Sequence, residues 1–356
     1  MPHGSTGTDL PHHDELLVVN ESPLCAETPP SRLAHPITPA AVHYVRGNFD
    51  MPSLAADHAI EVDGLVGAPF RLTVRELREL PSTQVTFTME CAGNDRTKMR
   101  PMPAGEPWNT GAVSTARWTG VPLKTLLERA GVLPGAIEVV VEGADSGHKP
   151  DATERLSYGR SLPLEALGSD VLLAYEMNDA ELPALHGGPV RLVVPGWYGM
   201  ASVKWVTRIS VVDMAFRGYF QAQRYVFQYP DAVVPVTRTR VKSIVVSPAA
   251  DAVIARGAEV LVWGWAWSGE GEVTRVEIQG GSAAEWITAK LDAPIAAHAW
   301  RRWECRMRFE RSGEHVLRTR ATDSRGNVQP EEIRWNRLGY GNNAVRESRL
   351  SVAPAH

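Results

Sequence analysis

The chain has 356 residues, with 37 Lys and Arg against 41 Asp and Glu, a formal net charge of −4, and both signs spread along its length. That balance excludes a general nucleic-acid or membrane-surface binder, so any anion binding must come from a local group of arginines. Three cysteines, Cys25, Cys91 and Cys305, with no C-x-x-C spacing, exclude a disulfide framework and a structural zinc site and fit a reducing compartment.

Met1 to Asn20 carries His3, Asp9, His12, His13, Asp14 and Glu15 and lacks the basic start and apolar stretch of a signal peptide. No run is long and apolar enough to span a bilayer, so a cytoplasmic protein is expected. Pro23, Pro29, Pro30, Pro36 and Pro39 forbid long helices in residues 1–40, which should run extended over the first domain. That domain is expected over 41–235, with short strands alternating with short helices. Ala59 to Gly64 reads as a strand and turn. Thr73-Val74-Arg75-Glu76 has capping-box spacing, and Val74, Leu77 and Leu80 give a short amphipathic helix. A second helix starts near Pro122, buries Leu123, Leu126, Leu127 and Ala130, and ends at Gly131. Ile137 to Val141, Val190 to Val194 and Val203 to Val212 read as strands.

The run Gln84 to Glu90 alternates, with Val85, Phe87 and Met89 on one face of a half-buried strand. It delivers Cys91 to a polar loop, Ala92-Gly93-Asn94-Asp95-Arg96. A single thiol at a strand end with an arginine close by is a ligand or nucleophile position, because Arg96 would favour the thiolate that binds metals.

Near 230–242 the texture changes: Pro230, Pro235 and Arg238-Thr239-Arg240 read as a linker. Beyond it, over 236–356, helical periodicity largely vanishes. Val260 to Trp267, Val273 to Gln279, Trp303 to Phe309 and His315 to Ala321 read as strands of an antiparallel sandwich. Trp303, Cys305, Met307 and Phe309 should face inward, with Cys305 a buried, inert thiol. Trp263, Trp265, Trp267, Trp286, Trp300, Trp303 and Trp335 fall in this part and suit sandwich core and subunit interface better than a stacking platform for carbohydrate or bases.

Tyr44 to Asn48, Glu90 to Asn94, Gly111 to Trp118, Leu172 to Asn178, Pro189 to Gly196 and Ser202 to Trp205 follow in order, and Gly264 to Gly269 and Asn327 to Pro330 continue the series into the sandwich. Carried by these stretches, the chain after residue 20 resembles the molybdenum-cofactor sulfite oxidases, relatives of the molybdenum domain of assimilatory nitrate reductases. The resemblance implies an α+β cofactor-binding domain of the sulfite-oxidase fold followed by an immunoglobulin-like antiparallel sandwich that dimerises. It implies a haem-free enzyme that oxidises sulfite to sulfate, with electrons leaving to oxygen or a redox protein such as a cytochrome.

By the same resemblance Cys91 is the molybdenum ligand, Arg46 and Arg96 line an anion pocket, and Tyr225 hydrogen-bonds near the reacting oxygen. Tyr44, Val45, Arg46, Gly47, Asn48, Asp145, His186, Arg191, Ser202, Val203 and Lys204 would contact the molybdopterin. These residue types suit the task. A soft thiolate supplements a dithiolene, and guanidinium grips oxyanions through paired hydrogen bonds. Arg191 and Lys204 can meet a terminal phosphate, while Asp145 and His186 can hydrogen-bond a ring edge.

Three positions depart from the family pattern. Asp95 is acidic where many members are basic, Asn48 stands for a histidine, and Leu338 occupies the place of a third pocket arginine, with Arg337 one residue earlier. On a strand one residue reverses side-chain direction, so Arg337 is expected to point away from the metal. These departures keep open another sulfur oxyanion, a sulfoxide or nitrate as substrate. A non-catalytic interaction protein on the same fold is the reading from another class. Gly339-Tyr340-Gly341-Asn342-Asn343-Ala344 mimics a dinucleotide loop, but no βαβ unit can follow it. Neither a P-loop nor a covalent-haem motif is present, and no haem, flavin or NAD domain fits the length.

Overall fold

The computed structural model describes residues 15–55, 57–281 and 283–354, so His3, Asp9, His12, His13 and Asp14 lie outside the described residues. The first domain is mostly β. Among its described residues α-helix is confined to Val74–Arg78, Leu123–Ala130 and Tyr219–Ala222, with short 3-10 turns between strands. Both expected helices form, but strands outnumber them, so the expected alternation of strands and helices is weaker than the sequence suggested.

Local chemistry accounts for the helices that do form. The Thr73 hydroxyl accepts from the Glu76 amide while the Glu76 carboxylate accepts from the Thr73 amide, a complete capping box. Leu123, Leu126, Leu127 and Ala130 bury one face of the next helix, and Gly131 caps it in a left-handed conformation.

Two five-stranded sheets build this domain. One runs Ala180–Glu181, Leu172–Met177, Val113–Pro122, Thr83–Glu90, with Arg191–Val193 also on Leu172–Met177. The other runs Phe70–Thr73, Ala59–Gly64, Val206–Val212, Glu138–Gly147, Leu156–Pro163, with one parallel pair, Val206–Val212 against Ala59–Gly64. Residues 17–46 form a third, small sheet in which Leu24–Glu27 pairs with both Leu17–Glu21 and Val45–Arg46. The proline-rich segment is thus woven in: Cys25, Ala26 and Thr28 are fully buried.

The second domain is a sandwich of two sheets. The first has Lys242–Ser247, Glu259–Trp267, Arg301–Arg308 and Lys290–Leu291 in spatial order. The second has Val253–Ile254, Arg346–Val352, Gly313–Asp323, Val273–Gly280 and Ala283–Thr288. Strict alternation along Gly313–Asp323 turns His315, Leu317, Thr319 and Ala321 inward against Trp303, Met307 and Phe309. Cys305 is only half-buried at the edge of this core, which corrects the expectation of a fully buried thiol.

The segment expected to be a linker is a packed joint. Val236, Thr239 and Val241 are buried, the Thr239 amide donates to Gly196 O at 3.0 Å, and Arg240 donates to Gly341 O at 3.0 Å and Tyr229 Oη at 2.9 Å.

Two sandwich tryptophans clamp the N-terminal segment. Trp265 and Trp300 stack at 4.9 Å, and their indoles donate to Leu33 O at 2.6 Å and Pro36 O at 2.8 Å. Among the described residues no helix is long and apolar enough to cross a membrane.

Candidate active site

Strand Thr83–Glu90 pairs residue for residue with Val113–Pro122, from Thr83 opposite Gly120 to Glu90 opposite Val113. Its first half, Thr83 to Thr86, is exposed or half-buried on both faces, so the expected one-sided burial is corrected. From Phe87 to Glu90 both faces are buried, so the strand enters the protein interior before it ends. The Cys91 amide then donates to Ala112 O at 2.9 Å, and the Asn94 amide donates back to Cys91 O at 2.9 Å, closing a tight turn. Cys91 is 6 % exposed and opens onto a cavity.

Tyr44, Val45, Arg46, Asn48, Asp145, His186, Arg191, Ser202, Lys204 and Tyr225 line that cavity with Cys91. They come from four separate stretches of chain. Arg46 arrives on the small N-terminal sheet, Asp145 on Glu138–Gly147, and His186, Arg191, Ser202 and Lys204 on turns around Arg191–Val193. Gly47 and Val203 stand behind the wall. Gly47 gives its carbonyl to the Arg46 guanidinium, and Val203 is fully buried with its carbonyl accepting from the Leu192 amide at 2.8 Å. Their part is to shape the backbone.

An outer cleft joins the cavity through Arg46, Asn48, Cys91 and Tyr225 and adds Arg96, Glu106, Trp108, Lys149, Arg224, Leu338 and Tyr340. Arg96 donates to Glu106 O at 2.6 Å and Leu338 O at 3.0 Å and faces the Tyr340 ring at 5.4 Å. A Cβ on Gly93 would stand 2.7 Å from its Nη2, so glycine is required for this close approach. Arg337 is exposed and outside the cleft, whereas Leu338 lines it; the two stand in a turn and not on a strand, so the strand alternation expected for them is corrected although Arg337 does point away.

Burial pushes the Cys91 thiol up, and Arg46, the Gly93 amide and then Arg96 only partly oppose this. The expectation that Arg96 makes a thiolate is corrected on two counts. Arg46 is the stronger positive neighbour, and deprotonation at this buried site needs a further cation such as a bound metal.

Asp95 also lies elsewhere than expected. It turns away from the cleft into the domain interface, fully buried, where it pairs with Lys242 at 2.8 Å and with Arg346. Its acidity is therefore matched by cations of the sandwich and does not charge the anion pocket.

The inner cavity is chemically unbalanced. Arg191 is 4 % exposed, donates to His186 O at 2.6 Å and Ser202 O at 3.0 Å, and among the described residues neither it nor Lys204 has a carboxylate partner within ion-pair distance. Burial and the neighbouring Arg191 bring Lys204 down to about 7. Burial lifts Asp145 to about 6, and its Oδ1 has no hydrogen-bond partner. His186 is held down to about 3 by burial, so it is neutral, with Nε2 donating to Ala40 O at 2.8 Å. Gly187 takes a φ of 106°, and a Cβ there would stand 2.9 Å from Lys204 Cβ.

A buried guanidinium, Arg191, and a half-buried amine, Lys204, neither in an ion pair among the described residues, beside unsatisfied acceptors fit a ligand with an anionic end and a donor-rich ring edge. Among the described residues no group of three His, Cys, Asp or Glu side chains is placed to hold a metal, so a metal at Cys91 must bring its other ligands with it.

Tyr225 sits at a φ of 47°, rare for a residue with a side chain, and its hydroxyl lies 3.2 Å from the Asn48 amide. Several lining residues escaped the sequence reading, three of them with a clear place in the site. His43 presents an unpartnered Nε2, adjacent to the motif residue Tyr44; Lys149 donates to Asn48 O at 2.6 Å; Trp108 is 1 % exposed on the cleft wall. Only His43 had a sequence signal, its place beside Tyr44.

Comparison with known proteins points the same way. Residues 48–220 match the model of the oxidoreductase molybdopterin binding domain, and residues 234–351 match the Mo-co oxidoreductase dimerisation domain. The sulfite oxidase of Gallus gallus is 38 % identical over 93 % of this chain and 77 % of its own length. An NADH nitrate reductase of Solanum lycopersicum is 31 % identical over 96 % of the chain but only 41 % of its own. The solved structure of the sulfane dehydrogenase SoxCD from Paracoccus pantotrophus superposes with a TM-score of 0.83 at 29 % identity, covering 99 % of this chain and 96 % of that one.

Proposed function

The chain belongs to the sulfite oxidase family of molybdopterin oxidoreductases, and from that premise we propose that it oxidises sulfite to sulfate and passes two electrons to an external acceptor. The observation that carries this is the meeting of one thiol, Cys91, with Arg46 at the junction of an inner cavity short of anions and an outer cleft lined by cations.

Arg191 and Lys204 would hold the cofactor phosphate, Asp145, His186 and His43 its ring edge, and Cys91 the metal. Bound there, the molybdenum–pterin group supplies the two-electron couple and the oxygen atom that sulfite gains.

The chain's own residues do the rest. Arg46, Arg96 and Lys149 draw the anion inward and offset its charge, in a site where preorganised donors are worth far more than in water. Arg96 keeps its fork fixed on two backbone carbonyls, so little reorganisation is needed when the anion arrives. The Tyr225 hydroxyl, held by Asn48, can donate to an oxyanion oxygen and assist the release of the two protons that water loses. Trp108, Phe220 and Tyr340 keep bulk water from the cavity mouth. The electron acceptor would be oxygen or a redox protein such as a cytochrome, and the sandwich would join two copies into a homodimer.

Purified protein should carry one molybdenum per chain and reduce ferricyanide when given sulfite. Stoichiometric metal without sulfite turnover, whatever the acceptor, rejects the substrate. A second reading is favoured by Leu338, which gives the cleft an apolar wall where an arginine was expected. The substrate would then be another sulfur compound, in line with the name of the sulfane dehydrogenase neighbour, or a sulfoxide or nitrate. Parallel turnover of sulfite, thiosulfate, a sulfoxide and nitrate on one preparation decides between the two. A non-catalytic role is ruled out if Cys91→Ser abolishes activity in protein that keeps its metal.

A further inference from the structure

We propose that the sandwich domain is part of the metal site, with Lys242 as a positioning residue that pins both ends of the Cys91 turn. Glu90 immediately precedes Cys91, and Asp95 closes the turn in a left-handed conformation, φ 65°. Both carboxylates reach the same ammonium, which comes from the first strand of the sandwich, Lys242–Ser247. Lys242 Nζ donates to Glu90 Oε1 at 2.8 Å and lies 2.8 Å from Asp95 Oδ2, outside hydrogen-bond angle. The three side chains are 1 %, 2 % and 0 % exposed.

Further contacts of the two acids tie the same turn down. Glu90 accepts from Asn94 Nδ2 at 3.0 Å and from Trp267 Nε1 at 2.9 Å. Asp95 accepts from Thr110 Oγ1 at 3.1 Å and pairs with Arg346, and its carbonyl accepts from Asn342 Nδ2 at 2.9 Å. Lys242, Trp267, Asn342 and Arg346 all belong to the second domain. Buried charges are costly unless paired, and a hydrophobic replacement would serve stability at least as well. What the ionic arrangement adds is geometry: two charge contacts, at Glu90 and Asp95, bracket the four residues between them and fix the direction in which the thiol points. A domain matched as a dimerisation module thereby holds the turn that carries the metal ligand.

The proposal rests on the reading of Cys91 as that ligand, so the first test avoids the metal. Full-length cofactor-free protein is treated with iodoacetamide, and labelling of Cys91 and Cys25 is followed by peptide mass spectrometry in wild type, Lys242→Met and Glu90→Gln/Lys242→Met. The double variant removes one anion with the cation and leaves Asp95 with Arg346. Cys25, fully buried nearby, is the internal control. We expect Cys91 to react about tenfold faster in both variants with Cys25 unchanged. In holoenzyme of the double variant kcat should fall about tenfold with KM for sulfite within twofold. Parallel acceleration of both cysteines, no acceleration, or failure of both variants to fold would overturn the proposal, making the network a folding determinant only. Wild type without molybdenum would instead sink the functional reading and leave the labelling result standing.

Discussion

Cys91 and the cations around it carry the sharpest expectations. Cys91→Ser should keep molybdenum, which the pterin holds, and lose at least about a hundredfold in turnover; full turnover would remove Cys91 from the chemistry. Arg46→Gln should raise KM for sulfite by about tenfold to a hundredfold, the worth of one charge-assisted contact; an unchanged KM would place the anion elsewhere. Lys204 makes a pH prediction. Burial holds it at about 7, well below a lysine of the unfolded chain. Its contribution to stability is therefore present above the unfolded value of about 10.5 and lost as pH falls through about 7. Lys204→Met in the cofactor-free protein should melt a few degrees above wild type at pH 6, the difference shrinking toward pH 10. Parallel melting curves across that range would contradict it. The place of Arg46 and Cys91 on the cavity wall was legible because each sits in a short motif. Lys149 was not: Ser-Gly-His-Lys-Pro reads as a loop, and only the folded chain brings its ammonium to Asn48.

At the scale of elements, the strand that ends at Cys91 was readable from its alternation, while its burial on both faces was not. The second face is covered by residues far along the chain, such as Trp300, whose amide donates to Thr88 Oγ1 at 2.7 Å. Asp95 shows the same limit. Its local neighbours suggest a charge beside the substrate, but its partners, Lys242 and Arg346, lie in the other domain. The loop after the strand makes its own prediction. Gly93→Ala places a methyl 2.7 Å from the Arg96 guanidinium, so the fork must leave its two carbonyls. KM for sulfite should rise about tenfold with molybdenum content unchanged; wild-type kinetics would mean that Arg96 does not hold the anion.

For the molecule as a whole, the sandwich fold followed from alternation and turn spacing, which are local, but its grip on the N-terminal segment did not. Trp300→Ala should cost about 3–5 kcal/mol and, by releasing the indole bond to Pro36 O, should speed hydrogen exchange at Thr28 and Thr38, whose amides donate into the cofactor domain. Unchanged exchange there would detach the segment from the clamp. The whole account depends on one bond, the one the Cys91 sulfur would make to the molybdenum of the pterin cofactor. X-ray absorption at the molybdenum edge, on wild-type protein and Cys91→Ser loaded alike, tests it most directly. The account expects the variant to show one sulfur neighbour fewer at the metal; an identical sulfur count in the two proteins would contradict it.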